Sequence, residues 1–229
     1  AVFFDNEFNV RVRGNPNLTI SDIINADLRW EWYFGDNDLD HLSVALFYKD
    51  MDDPIERVVQ AASGTASNSR TFQNSETAEL FGVEVEGRKE WLLGGSYDNT
   101  VFLAFNASYI ESEVTLLSGD TRELQGQPEY TANFVVGYDN LPGGHQVTLL
   151  YNHNGASIAD VGILGRPNVV LEERGELNLV YRYDISENAS IKARVENLFD
   201  AKVEYTQDGD PFQVYEKGTT FQIGFNWDF

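Results

Sequence analysis

The sequence predicts an all-β protein: an antiparallel, up-and-down transmembrane β-barrel, with about nine strands in these 229 residues. Three observations carry that reading. Apolar and polar residues alternate with period two along nine separate runs, which puts successive side chains on opposite faces of a strand. The connections between runs alternate in length, short near 35–40, 94–99, 139–145 and 184–190, long near 51–76, 114–124, 153–174 and 200–217. Aromatic residues gather at run ends while Val, Leu, Ile and Ala fill the middles, as an interfacial girdle requires.

The first run sets Ile24, Ala26, Leu28, Trp30, Trp32 and Phe34 against Asn25, Asp27, Arg29 and Glu31. After a turn-rich stretch at Gly35, the second sets Leu42, Val44, Leu46 and Tyr48 against Ser43, Ala45, Phe47 and Lys49. The third pairs Phe81, Val83, Val85 and Trp91 with Glu84, Glu86, Arg88 and Glu90, and places Lys89 on the apolar side near the run's end, where its stem can snorkel. Val101, Leu103, Phe105, Ala107 and Tyr109 form the fourth, and Tyr130, Ala132, Phe134, Val136 and Tyr138 the fifth. Three more cover 146–152, 176–183 and 191–199. The ninth alternates Phe221, Ile223, Phe225, Trp227 and Phe229 with Thr220, Gln222, Gly224, Asn226 and Asp228. Prolines cannot donate to a ladder, and Pro16, Pro54, Pro142, Pro167 and Pro211 fall between runs, with Pro128 just before the fifth.

A soluble antiparallel sandwich would alternate in the same way. Charges of both signs deep in the polar faces (Arg29, Glu84, Glu86, Arg194) and runs longer than a sandwich strand favour a barrel with a wet lumen. No apolar stretch approaches the roughly 20 residues of a membrane-spanning helix, whereas a spanning strand needs only about 9–11. With 16 Lys and Arg against 37 Asp and Glu, the net charge of -21 excludes a nucleic-acid partner, because such binding neutralises phosphates with basic residues. The absence of cysteine excludes a disulfide scaffold, a thiolate zinc site and a cysteine nucleophile.

Several segments resemble the barrel of TonB-dependent outer-membrane receptors. They are 14–18 with 25–28 and 31–34, Leu46 to Met51 with Ile55, Phe81 to Glu86, and Leu124 to Thr131 with Asn133 and Tyr138. Glu196-Asn-Leu-Phe-Asp200, Gly218 to Phe221 and the terminal Phe229 complete the series, which covers nearly the whole chain. The resemblance implies that residues 1–229 are the C-terminal part of a barrel of about 22 strands, with the plug domain and TonB box absent. It implies active uptake of a scarce nutrient such as an iron chelate, cobalamin or saccharide across the Gram-negative outer membrane, with a periplasmic C-terminus, short periplasmic turns and long ligand-capturing loops. The implied partners are outer-membrane lipid, TonB acting through the plug, the small-molecule nutrient, and a barrel-assembly machinery that reads Phe221, Ile223, Phe225, Trp227 and Phe229. No enzyme activity and no cofactor is expected. The alternative is a small complete barrel acting as an adhesin or hydrolase, with Phe8, Val10 and Val12 helping to form a tenth strand.

Lumen-lining candidates are Asp27, Arg29, Glu31, Glu84, Glu86 and Arg88, either flanking a substrate path or pairing with one another and with a plug. His153 with Ser157 and Asp160 contains the residue types of acyl transfer, but at the mouth of a long loop and without a recognisable spacing. Asp50, Asp52 and Asp53, and Asp208 and Asp210 around Gly209, are oxygen donors suited to calcium, yet neither has EF-hand spacing, and a solvated acidic loop is the expected reading. No catalytic, cofactor or metal residue is therefore assigned.

Overall fold

The computed structural model describes residues 2–6, 10–35, 39–61 and 68–228. β1 (Val2–Asp5) and β2 (Val10–Arg13) make an antiparallel hairpin ahead of the first long strands, β3 (Asp22–Tyr33) and β4 (His41–Asp52). A hairpin of β5 (Ile55–Ala61) and β6 (Asn68–Asn74) leads to β7 (Thr77–Leu92) and β8 (Asn99–Thr115). The two-residue β9 (Thr121–Arg122) folds back on β8 before β10 (Tyr130–Asn140) and β11 (His145–Asn154). β12 (Ser157–Gly162) and β13 (Val169–Leu171) precede β14 (Arg174–Ser186) and β15 (Ala189–Glu196). β16 (Val203–Gln207), β17 (Asp210–Tyr215) and β18 (Thr220–Trp227) complete the chain.

Nine of these strands are the nine runs. They lie side by side in one curled sheet in the order β18-β15-β14-β11-β10-β8-β7-β4-β3, every neighbouring pair antiparallel. Register follows from the alternation, since a one-residue slip would turn every apolar side chain to the wrong face. One face exposes Leu46, Phe81, Phe134, Leu149 and Ile223, whereas Ser43 and Thr100 on the opposite face are only 1% and 6% exposed. Charges at the short-turn end complete the wall. Lys89, predicted to snorkel, donates to Asp40 and lies 5.5 Å from the centre of the Phe34 ring.

Four departures from the sequence reading are physical. The run expected over 191–199 ends at Glu196, because buried Asn197 adopts φ 56° and turns the chain. Its side chain accepts from the Ala201 amide at 2.8 Å and donates to the Ala201 carbonyl at 3.0 Å, replacing ladder bonds with corner bonds. The polar face is not polar throughout: Met51, Ala78, Leu80 and Val114 form an apolar cluster on it, against which Phe47, Leu116 and Leu124 pack. Three of the four long connections are not loops: together with the N-terminal hairpin they carry a second, eight-stranded sheet in the order β1-β2-β6-β5-β12-β13-β16-β17, so the molecule is not antiparallel throughout. β2 pairs parallel with β6, and β5 with β12.

The fourth departure concerns the small closed barrel. Val10 and Val12 are buried in β2, which pairs with β1 and β6. Among the described residues β18 pairs with β15 alone and β3 with β4 alone, so no tenth strand joins the two edges. Phe8 lies outside the described residues.

Flat contacts between rings and glycines set how closely the staves pack. A Cβ on Gly137 would stand 2.1 Å from the Phe102 ring directly across the strand pair, and one on Gly82 would stand 2.2 Å from Phe47. Each ring lies down over a glycine because no side chain holds it up. Gly137→Ala is expected to cost about 1–3 kcal/mol by displacing that ring. Adding Phe102→Leu should recover part of the loss, measured as melting of the full-length protein in detergent. Facial assignment predicts a second asymmetry: Leu149→Arg, on the exposed apolar face, should lose about 2–4 kcal/mol in lipid. The inward-facing neighbour Thr148→Arg should lose much less, measured by refolding into bilayers.

Candidate functional site

The six predicted lumen residues share the polar face of β3 and β7, with β4 between them. Register aligns Arg29 with Ala45 and Glu84, and Glu31 with Ser43 and Glu86. The small side chains at 43 and 45 leave room above β4, so Arg29 reaches over it. Its Nη2 donates to Glu86 at 3.0 Å and its Nε to Glu31 at 2.6 Å. Tyr33 donates its hydroxyl to the other Glu31 oxygen at 3.0 Å. His41 extends the group: its Nδ1–H donates to the Leu39 carbonyl at 3.0 Å, which turns Nε2 toward Glu86 at 3.5 Å.

The remaining members diverge from that cluster. Glu84 accepts from Asn106, which in turn accepts from Asn133 at 3.3 Å, continuing the polar row onto β8 and β10. Arg88 donates to Glu90 at 3.4 Å and lays its guanidinium 4.5 Å from the centre of the Phe102 ring, a cation–π contact. Asp27 makes no side-chain hydrogen bond or ion pair among the described residues. A shallow niche of about 420 Å³ lies between these groups, bordered by His41, Glu86, Arg88, Ala104, Asn106 and Asn133. Phe105 and Val135 border it as well, so it offers hydrogen-bonding and charged groups beside apolar surface.

At the short-turn end, Asp40 is 1% exposed and accepts from Lys89 and from the Glu90 backbone N–H at 2.8 Å. Burial pushes its carboxyl pKa up, but the Lys89 and Glu90 hydrogen bonds and the positive charges of Lys89 and Arg88 outweigh it and hold the pKa below the ordinary carboxylate value.

The second sheet holds a charged cluster that sequence reasoning did not foresee. Asp160, 1% exposed, accepts from Arg70 at 2.8 and 2.5 Å and from Arg57, and Arg70 also donates to Asp5 at 3.1 Å. Nearby, Glu56, 3% exposed, accepts from Arg122 at 2.9 Å and from Ser75 at 2.5 Å. Removing one partner from so buried a group costs about 3–5 kcal/mol, because the other charge is left without compensation. Arg57 and Arg70 could have been suspected from the sequence, since each sits amid β-branched or polar strand formers. Their carboxylate partner, 103 and 90 residues on, carried no local signal.

The other sequence candidates are dispersed. Asp160 is committed to the two arginines, while His153 stacks on Tyr130 at 5.5 Å and meets the Tyr151 hydroxyl at 3.2 Å, so the hydrolase set is not brought together. Asp208 and Gly209, at φ 59° and 80°, form the turn between β16 and β17, with Asp210 opening the second strand. Asp50 and Asp52 lie in β4 and Asp53 follows it at φ 51°. Among the described residues no group of three or more His, Cys, Asp or Glu is arranged to hold a metal ion. Phe221, Ile223, Phe225 and Trp227 line one face of β18, 57–84% exposed, with the Phe225 and Trp227 rings 6.2 Å apart; Phe229 lies outside the described residues.

The family model described as "TonB dependent receptor-like, beta-barrel" matches residues 2–198. The chain belongs to that family. No curated protein matches its sequence. Among solved structures, this receptor-family chain is similar to the ferric enterobactin receptor PfeA of Pseudomonas aeruginosa in complex with BCV-L6, at 19% identity and TM-score 0.63, covering 95% of this chain and 33% of that one. The siderophore receptor PirA of Acinetobacter baumannii matches at 15% identity and TM-score 0.62, covering 96% and 33%. The copper transporter OprC matches at 18% identity and TM-score 0.65, covering 95% and 34%. The chain therefore spans about a third of the length of these receptors, and at such identities the likeness shows the fold.

Asp40 gives a prediction with a definite sign. Its folded pKa lies below its unfolded one, so the stabilisation is complete above the ordinary carboxylate pKa of about 3.9 and is lost as pH falls through the depressed folded value. Asp40→Asn should therefore melt earlier than the wild type by a constant interval at neutral pH. That interval should shrink below about pH 4, measured as thermal melting of the detergent-solubilised receptor across pH.

Proposed function

We propose that this chain is part of the wall of an outer-membrane receptor that takes up a scarce small nutrient by active transport. The observation that carries the reading is the nine-staved antiparallel sheet with one exposed apolar face and one charged face, in a chain of the TonB-dependent receptor family. Backbone N–H and C=O groups have no water to turn to in hydrocarbon, and a closed strand wall is one of the two ways to satisfy them. The similar solved proteins include siderophore and copper receptors, which supports an iron chelate or a metal ion as cargo ahead of cobalamin or a saccharide.

In this reading Asp27, Arg29, Glu31, Glu84, Glu86 and Arg88 face the lumen, and the Arg29–Glu31–Glu86 cluster positions the wall's own charges rather than leaving them to repel a passing solute. The short turns face the periplasm, as does the C-terminus, and the second sheet stands outside the cell. Energy arrives through TonB and a plug domain supplied by the longer receptor. The aromatic face of β18, with Phe229 following it, is the surface the barrel-assembly machinery reads.

The test is uptake by the full-length receptor in a Gram-negative host stripped of its own transporters. Three labelled probes are offered separately: a ferric catecholate siderophore, cupric ion and cobalamin. Accumulation of at least one probe that disappears when TonB is deleted is the expected result. Accumulation that survives loss of TonB would show passive permeation and overturn the proposal.

A further inference from the structure

The second sheet is assembled from segments that leave the wall at three different places and from the N-terminal hairpin, yet the main-chain seams joining those segments are short. β2 meets β6 at Arg11↔Ser69 and Val12↔Arg70, and β5 meets β12 at Val58↔Val161 and Val59↔Gly162. β13 meets β16 over three residue pairs, and the stretch around β9 reaches the second sheet through side chains and one main-chain bond, from the Gly126 N–H to the Ile158 carbonyl at 2.8 Å. Seams of this length would fray independently if ladder bonds were all that held them.

Each seam also carries a polar clasp. Arg70 spans the first by donating to Asp5, and it spans the second by donating to Asp160, which Arg57 of β5 reaches as well. Gln125 bridges the same second seam: its Nε2 donates to the carbonyls of Arg57 at 2.8 Å and Ala159 at 2.9 Å, while its Oε1 accepts from the Arg57 amide at 2.7 Å. Arg122 ties the β9 stretch to Glu56, and Thr206 ties the last seam by donating to Glu172 at 2.5 Å. Asp160, Arg70 and Glu56 are almost fully buried, so water cannot replace the bonds they give up when a seam opens.

We propose that the second sheet is a single latched body in which Asp160 and Glu56 are the latches, so that the long connections open together or not at all. A solute arriving at this end of the wall then meets one preformed surface rather than several independently closing loops. The inference rests on the seams and their clasps, and it holds whichever solute is carried and whichever side of the membrane this end faces. Asp160 and Glu56 act as positioning residues, holding strands that other residues of the surface depend on.

The test is hydrogen exchange followed by mass spectrometry on the full-length receptor in detergent, comparing wild type with Asp160→Asn and Glu56→Gln, which keep side-chain volume and remove charge. Either substitution should accelerate exchange in β5, β6, β12 and β13 together, by about tenfold or more, while β8, β10 and β11 keep their protection. Acceleration confined to the hairpin that carries the substitution, or no acceleration, would overturn the latch. If Asp160→Asn does not assemble, Gln125→Ala removes the uncharged bridge alone. It should speed β5 and β12 in concert, and faster exchange in only one of the two would overturn the proposal in the same way.

Discussion

The main-chain ladder is the constraint on which everything else in this protein depends. Each stave is long, and its N–H and C=O groups have to be satisfied by the neighbouring stave, because a hydrocarbon surround offers no alternative partner. That requirement fixes the antiparallel order, ties each short turn to its two staves, and makes register a matter of face, since side chains alternate with period two. The apolar face is then free to be exposed, and Leu46, Phe81, Phe134 and Ile223 are exposed where a water-soluble sandwich would bury them. Among the described residues β3 and β18 are the two edges of this sheet, each paired on one side.

With the ladder taken care of, the polar face becomes a place where side chains are positioned by what lies beneath them. Arg29 can bridge to Glu86 because residues 43 and 45 are Ser and Ala, and the Phe102 ring can lie flat because position 137 is Gly. The result is a wall of paired charges. An unpaired row of Glu84, Glu86, Glu31 and Asp27 would present a strong negative field to any anionic solute, whereas a row interleaved with Arg29 and Arg88 presents alternating sign. Toward the long-connection end the polar face turns apolar around Met51, Leu80 and Val114, and the returning segment at Leu116 and Leu124 covers it.

The second sheet works on a different principle. Its strands are short, two of its pairings are parallel, and its cohesion comes from buried charge rather than from long ladders. A carboxylate such as Asp160 with two guanidinium partners is a poor contributor to net stability but a strict one, because each partner is costly to strand alone. Segments held in that way are well ordered only as a set.

The sequence by itself determined the staves, their faces and the resemblance to the receptor family, because period-two alternation over 8–17 residues is a local property that survives without knowledge of neighbours. It also placed Asp27, Arg29, Glu31, Glu84, Glu86 and Arg88 on a common face, since parity within a strand and the meander order suffice for that. Which of them pair, and that Asp27 stands apart, required the register and the size of the residues between. The long connections were beyond the sequence altogether. β5, β6, β12 and β16 are short and pair with strands far along the chain, so no periodic signal accumulates, and the partnership of Arg70 with Asp160 exists only where two distant connections meet. The stop at Asn197 left only a weak trace, a break in alternation at Asn197 and Leu198, and it takes the left-handed backbone held by the Ala201 and Asn178 contacts to show that the strand ends there. Local patterning decided what each segment is; contacts between segments far apart in sequence decided what the segments build.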